Sequence, residues 1–197
     1  MNVLQAIERQ LPLAGNTWDG SDKPQAAVLV ALSMEATPRV WLGRRTRHLR
    51  HHPGEVAFPG GKREPEDATP WATALREATE EVGLPAGLAQ PLGELSPLVT
   101  RTGFEVHPCV AAITAPFTPV VDTREFDSVF TLGLDRFAER EVFRLERMIQ
   151  DGRERMVPHY DIDNDNIWGV TAAVLAMLAN IAYDAGFDLQ RNWKESP

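Results

Sequence analysis

Residues Phe58 to Leu84 read FPGGKREPEDATPWATALREATEEVGL: a loop, then a helix, then a stop. Thr69 can cap the first turn with its hydroxyl, Pro70 stands where a missing N–H costs nothing, and Gly83 offers a left-handed exit. Between these signals lie about three and a half turns. Trp71, Leu75, Ala78 and Val82 recur at helical spacing and predict an apolar stripe that packs on a sheet.

Glu77, Glu80 and Glu81 fall beside that stripe. Spacings of three and four place helix side chains within about 6 Å of one another, so the three carboxylates are expected to converge. Converging anions repel and call for a neutralising partner, and oxygen-only donors suit a hard cation such as Mg²⁺ or Mn²⁺. Arg76 can reach Glu80 four residues on, and the Gly60-Gly61 pair lets main chain approach closely enough for a loop carbonyl to join the shell. The plainer reading of three helical glutamates is a solvated face.

The surrounding residues change that balance. Gly61, Arg76, Glu77, Glu80, Glu81, Gly83 and Leu84 resemble the Nudix box, whose pattern is Gly, five residues, Glu, seven residues, then Arg-Glu-aliphatic-any-Glu-Glu-any-Gly-aliphatic. Two departures fall in the loop: Asp67 stands for the first Glu, and eight residues separate it from Arg76. A third is Ala78 at the bulky aliphatic position. The resemblance implies an α/β/α sandwich with a mixed β-sheet, and metal held by Glu77, Glu80, Glu81 and the Gly61 carbonyl. Glu81 would be the central ligand and Glu77 a ligand or general base.

The 197 residues suit one domain with a real core, with no internal repeat or linker and a helix and loop over residues 1–25. Hydrophobic residues at 43% and charged ones at 24% describe an ordinary globular chain, and no apolar run reaches the roughly 20 residues of a membrane span. MNVLQAIERQL lacks the basic flank and long apolar stretch of a secretory signal, so a cytoplasmic location is expected. The lone Cys109 cannot form an internal disulfide, and in its apolar run it reads as core. A formal net charge of -8 argues against nucleic acid as a partner.

Against that charge, RRTRHLRHH at Arg44 to His52 carries four arginines and three histidines. Such a patch suits a polyanionic ligand because guanidinium forks match phosphate oxygens; the alternative is a solvated turn. Arg50, three residues, Gly54, three residues, then Phe58-Pro59-Gly60-Gly61 resembles the signature upstream of the box in the coenzyme A pyrophosphatase branch. That branch opens with Leu-Leu-Thr-any-Arg-Ser where this chain has Trp41-Leu42-Gly43-Arg44-Arg45-Thr46. The resemblance implies a small-molecule substrate, coenzyme A or its thioesters, with Arg45, Arg47, Arg50, Gly54 and Phe58 at the substrate. Another nucleoside diphosphate derivative, such as ADP-ribose or a nucleoside triphosphate, stays open, as does a non-catalytic ligand sensor.

Around the box the chain reads as strands and helices in alternation. Residues 2–11 predict a short helix, AAVLVALS and RVWLGRR a hairpin, and Val56 to Phe58 a short strand. LGELSPLVTRTGFEVHPCVAAITAP predicts two strands around a Thr-Gly turn, with the ladder interrupted at Pro108. TREFDSVFTLGLDRF resembles the family segment in which an acidic residue precedes an apolar strand and a helix; Glu125 holds the acidic position, which implies a fourth ligand or water-orienting base, the simpler reading being an exposed loop glutamate. His107 and His159 are further candidate bases. VFRLERMIQDGRERMVPHYDI predicts a hairpin about Asp151-Gly152, DIDND a connector, and IWGVTAAVLAMLANIAYDAG a long final helix. Its start, Ile167 to Ala172, resembles the last helix of the same branch, with Trp168 in the core or packed across a homodimer.

Overall fold

The computed structural model describes residues 2–12, 17–18, 20–49, 52–150, 153–189 and 194–195. The first helix, α1 (Val3–Gln10), starts at a reciprocal cap between Asn2 and Gln5. Strand β1 (Gln25–Ser33) then runs through the middle of the molecule. Its side chains alternate between two buried faces: Ala27, Leu29 and Ala31 belong to one apolar cluster, Val30 and Leu32 to the other. A strand buried on both faces needs cover on both, and helices supply it.

β2 (Arg39–Arg45) returns antiparallel to β1, as the predicted hairpin requires, with Leu32 opposite Val40. β3 (Val56–Ala57) pairs with β2, and β4 (Gly60–Lys62) folds back on β1. After α2 (Pro70–Val82) come β5 (Ala89–Glu94), β6 (Leu98–Val99) and β7 (Glu105–Ile113). β7 lies parallel to β1 from Gln25 opposite Glu105 to Ser33 opposite Ile113, which makes the sheet mixed. That register carries on through Pro108, so the interruption expected there does not occur on the β1 side. β8 (Phe126–Gly133) pairs with β2.

Among the described residues these strands form a sheet of eight in which β3, β2, β1, β7 and β5 follow one another. α2 covers one face through Trp71, Ala74, Ala78 and Val82. α1 and α3 (Gly169–Tyr183) share the cluster on the other face. The expected α/β/α sandwich is therefore the fold.

The second half departs from expectation in three places. A separate sheet of four is built from β9 (Phe143–Gln150), β10 (Arg153–Ile162), β11 (Asp165–Trp168) and β12 (Lys194–Glu195). The hairpin about residues 151 and 152 lies partly outside the described residues, though Gln150 stands opposite Arg153. The acidic DIDND stretch is a hairpin turn with Asp163 and Asn164 in the left-handed region, and it delivers Ile167 and Trp168 into β11, not into the helix. The helix predicted after β8 is a 3-10 turn, Leu134–Ala138, whose Leu134 and Phe137 plug into the core.

Candidate functional site

α2 begins and ends where its local signals place it. Thr69 Oγ1 accepts the Ala72 N–H at 3.1 Å, Pro70 opens the helix, and Gly83 exits at φ 67°. Of the predicted stripe, Trp71, Ala78 and Val82 are buried and Leu75 only half-buried, Ala74 taking the deeper place. That seating turns Glu81, beside Val82, inward until it is 5% exposed.

The three glutamates meet different surroundings. Glu81 Oε2 accepts the Gly60 N–H at 2.9 Å. Burial pushes its carboxyl up to about 8; the Gly60 amide and the Arg45 charge oppose the rise, while Glu77 and Glu125 add to it. Glu77 is also raised by burial, against the pull of Arg76. Its carboxylate lies over Gly61, where a Cβ would land on Oε1. Glu80 stands apart, 58% exposed, its Oε2 taken by Arg76 at 3.2 Å. Among the described residues no group of three His, Cys, Asp or Glu side chains is gathered as a metal-holding set.

Arg76 joins helix to loop. It reaches Asp67 at 2.9 Å, Glu77 at 3.1 Å, Glu80 at 3.2 Å and the Lys62 carbonyl at 3.2 Å. Asp67 is buried and receives the Thr73 hydroxyl at 2.7 Å and the Glu64 N–H at 3.0 Å. Burial alone would raise its pKa, but Arg76, Glu64 and Thr73 outweigh that and hold it at about 2. Asp67 thus anchors the box loop, a part that helical spacing could not assign because the contact crosses the turn before α2. The shorter acid in the first Glu position was its signal.

The basic segment is less free than its composition suggested. Arg44 makes a forked pair with Asp165 at 2.6 and 2.8 Å, and Arg45 pairs with Glu125 at 3.1 Å. Glu125 is brought there by a loop hooked to α2, in which Asp122 N–H donates to the Glu81 carbonyl at 2.8 Å. Arg47 is exposed in the turn after β2, and Arg50 lies outside the described residues. Gly54 adopts φ 74° and donates its N–H to the Arg45 carbonyl at 3.1 Å, closing the turn. Phe58, expected at the substrate, is 4% exposed and packs in the core cluster, forming part of the cleft floor from there.

A cleft of about 320 Å³ opens beside Gly60, lined among others by Arg45, Glu55, Phe58, Arg101, Arg155 and Thr171. Nothing in the local sequence marked Arg101 or Arg155: one is in a turn, the other in a hairpin strand that comes 95 residues after Gly60. His107 is buried and His159 is held by Asn166 at 2.9 Å, and neither lines this cleft. Cys109 is buried, and burial pushes its thiol up, as a core cysteine requires.

The donor chemistry at Glu77 and Glu81 fits a divalent cation. The Glu77 charge raises the proton affinity of Glu81, the Gly61 main chain comes close enough to the Glu77 carboxylate to exclude a Cβ, and Arg45 is the cation that eases Glu81. Residues 23–161 match the family model described as the NUDIX domain.

The chain belongs to the Nudix family. The uncharacterized Nudix hydrolase NudL of Yersinia pestis (strain Pestoides F) is 36% identical over 181 residues, covering 89% of this chain and 91% of that relative. A Nudix hydrolase from Alicyclobacillus acidocaldarius shares the fold with TM-score 0.59 and 19% identity, over 88% of this chain and 100% of that one. The MutT/nudix family protein from Enterococcus faecalis gives 0.52 and 16%, over 92% and 71%. As a Nudix hydrolase the chain acts on pyrophosphate bonds, in a family that generally uses divalent metals.

Proposed function

We propose that this Nudix hydrolase splits the diphosphate of coenzyme A or acyl-CoA into 3′,5′-ADP and 4′-phosphopantetheine or its acyl form. The observation that carries the reading is the inward Glu77 and Glu81 pair behind Gly60 and Gly61, beside a cleft with arginines on its walls. The Gly54 to Gly61 spacing, like that of the coenzyme A branch, supports the substrate.

A diphosphate resists hydrolysis because its negative oxygens repel a nucleophile. Glu77, Glu81 and the Gly61 carbonyl would hold Mg²⁺ or Mn²⁺, with Glu80 joining them on release from Arg76; when bound, the ion neutralises phosphate charge and lowers the pKa of water. Glu81, fixed by the Gly60 N–H, is the central donor, and Glu77 is a second donor or the general base. Arg76 positions Glu77 and Glu80 against the Asp67 anchor. Glu125, held by Arg45, orients water or completes the donor set. Arg45, shared with Glu125, and the exposed Arg47 are the arginines this reading assigns to phosphate oxygens, with Arg50 given the same task from its place in the signature. Gly54 shapes that turn and Phe58 backs the cleft. A cytoplasmic location and action on a small molecule without nucleic acid belong to the same reading.

The engagement of Arg44 by Asp165 favours a second reading, a different nucleoside diphosphate derivative such as ADP-ribose, since fewer arginines are then left for an extra phosphate.

The test is a substrate panel with Mg²⁺ and with Mn²⁺, products read by mass, on the wild type and Glu81→Gln. The amide keeps the shape and can still accept from Gly60, so the variant should fold and lose activity by about 100-fold or more. Full turnover in that variant rejects the assignment; 3′,5′-ADP missing from the products rejects the substrate.

A further inference from the structure

The cleft beside Gly60 takes Arg45, Arg101 and Arg155 from three separate parts of a chain whose formal net charge is -8. Among the described lining residues the acid is Glu55, which engages His52 at 2.9 Å. Arg45 is paired with Glu125 and belongs with Glu81, whose charged neighbours are Glu77, Arg45 and Glu125. Arg101 and Arg155 line the same cleft from the turn after β6 and from β10.

Arg101 is exposed in the turn between β6 and β7, and no carboxylate pairs with it among the described residues. Arg155 is half-buried in β10 and donates Nη1 to the Val99 carbonyl at 3.3 Å, which holds its guanidinium against β6 and next to that turn. Burial, then the Arg101 charge, holds Arg155 below the usual guanidinium range. Two guanidiniums close enough to feel each other's charge in a partly desolvated wall suit an anion that can bridge them. Thr100, Thr102 and Thr171 also line the cleft, the Thr100 hydroxyl accepting the Phe104 N–H at 2.9 Å and meeting that of Thr102 at 3.1 Å. So does the first turn of α3, a 15-residue helix with no side-chain cap at Trp168. The two guanidiniums alone offer more donors than a carboxylate can accept and suit a phosphate monoester, with its greater charge and three terminal oxygens.

We propose that Arg101 and Arg155 bind a phosphate monoester carried by the same substrate whose diphosphate meets Glu77 and Glu81. The assignment rests on the diphosphate-hydrolase reading above and names the substrate class within it: diphosphates that bear an additional monoester.

Binding and turnover test it separately. By calorimetry the wild type should bind 3′,5′-ADP about 10-fold or more tighter than 5′-AMP. Arg101→Gln, at an exposed position, should remove most of that difference. Arg155→Gln should do the same, with its fold checked by melting and Arg155→Lys recovering part of the effect. In turnover, Arg101→Gln should lower kcat/KM for coenzyme A about 10-fold more than for its form lacking the 3′-phosphate. Equal losses on both substrates mean that the pair serves the diphosphate, and they overturn the proposal. So does nucleotide discrimination that survives in the Arg101→Gln/Arg155→Gln double variant. Discrimination that depends on Arg101 in a protein that hydrolyses neither substrate supports the subsite and rejects the coenzyme A reading instead.

Discussion

Gly61 is glycine because of what stands over it. Its backbone does not need positive φ, but a Cβ would occupy the place of Glu77 Oε1. Gly61→Ala should therefore cut kcat by about 10 to 100-fold while the melting temperature moves little, since a small misplacement of a reacting group has that kind of effect. An unchanged rate would remove Glu77 from the site. Gly43, where the coenzyme A branch has threonine, is explained the same way: the fully buried Phe126 ring fills the space a Cβ would take. Asp67 carries a pH prediction. Its folded pKa of about 2 lies below the ordinary 3.8, so its contribution to stability is complete above pH 3.8 and is lost as pH falls through 2. Asp67→Asn should lower stability at pH 5 by about 2 kcal/mol, the worth of a hydrogen bond to a charged group, and the gap to wild type in urea midpoints should narrow toward pH 2.5. The Arg76 to Glu80 pair was legible because four residues make one helical turn. The Arg76 to Asp67 pair was not, because it crosses a turn whose path depends on Trp18 donating to the Asp67 carbonyl at 2.8 Å.

α2 was legible to its ends because caps are local chemistry: a hydroxyl, a proline and a glycine each act within a few residues. Its C-terminal glycine does more than end it. Gly83 sits at φ 67°, and a Cβ there would meet Val120 Cβ at 2.9 Å. Next to that contact the Val120 N–H reaches the Val82 carbonyl at 3.0 Å, and the Asp122 N–H reaches that of Glu81. Gly83→Ala should therefore destabilise by about 1 to 2 kcal/mol through the left-handed backbone, measured by denaturant unfolding. It should also lower activity at temperatures where the protein stays folded, because the hooked loop carries Glu125 to Arg45. Activity intact at full folding would make the loop a bystander. β11 was misread for a reason of the same kind. Its turn residues look like a connector, and only pairing with β10, Tyr160 opposite Ile167, makes the next four residues a strand. Leu134–Ala138 was read as a helix, but five residues whose apolar side chains plug a core need no second turn.

The two sheets are tied by Arg44 of β2 and Asp165 of β11, side chains 32% and 25% exposed. Because solvent still reaches both, a double-mutant cycle with Arg44→Ala and Asp165→Ala should return a coupling of about 1 kcal/mol or less, shrinking at high salt. A coupling near zero would leave the joint to the apolar contacts of β3, β11 and α3. The β1, β2 hairpin, α2 with its caps and the order of carboxylates along one helix could all be read from residues a few places apart, since alternation, helical period and capping act at that range. The second sheet, the inward turn of Glu81 but not Glu80, the diversion of Arg44 from ligand to structure, and the arrival of Arg101 and Arg155 in the cleft beside Gly60 could not. Each depends on which distant surface a side chain meets, and burial and charge pairing are properties of that meeting, not of the side chain alone.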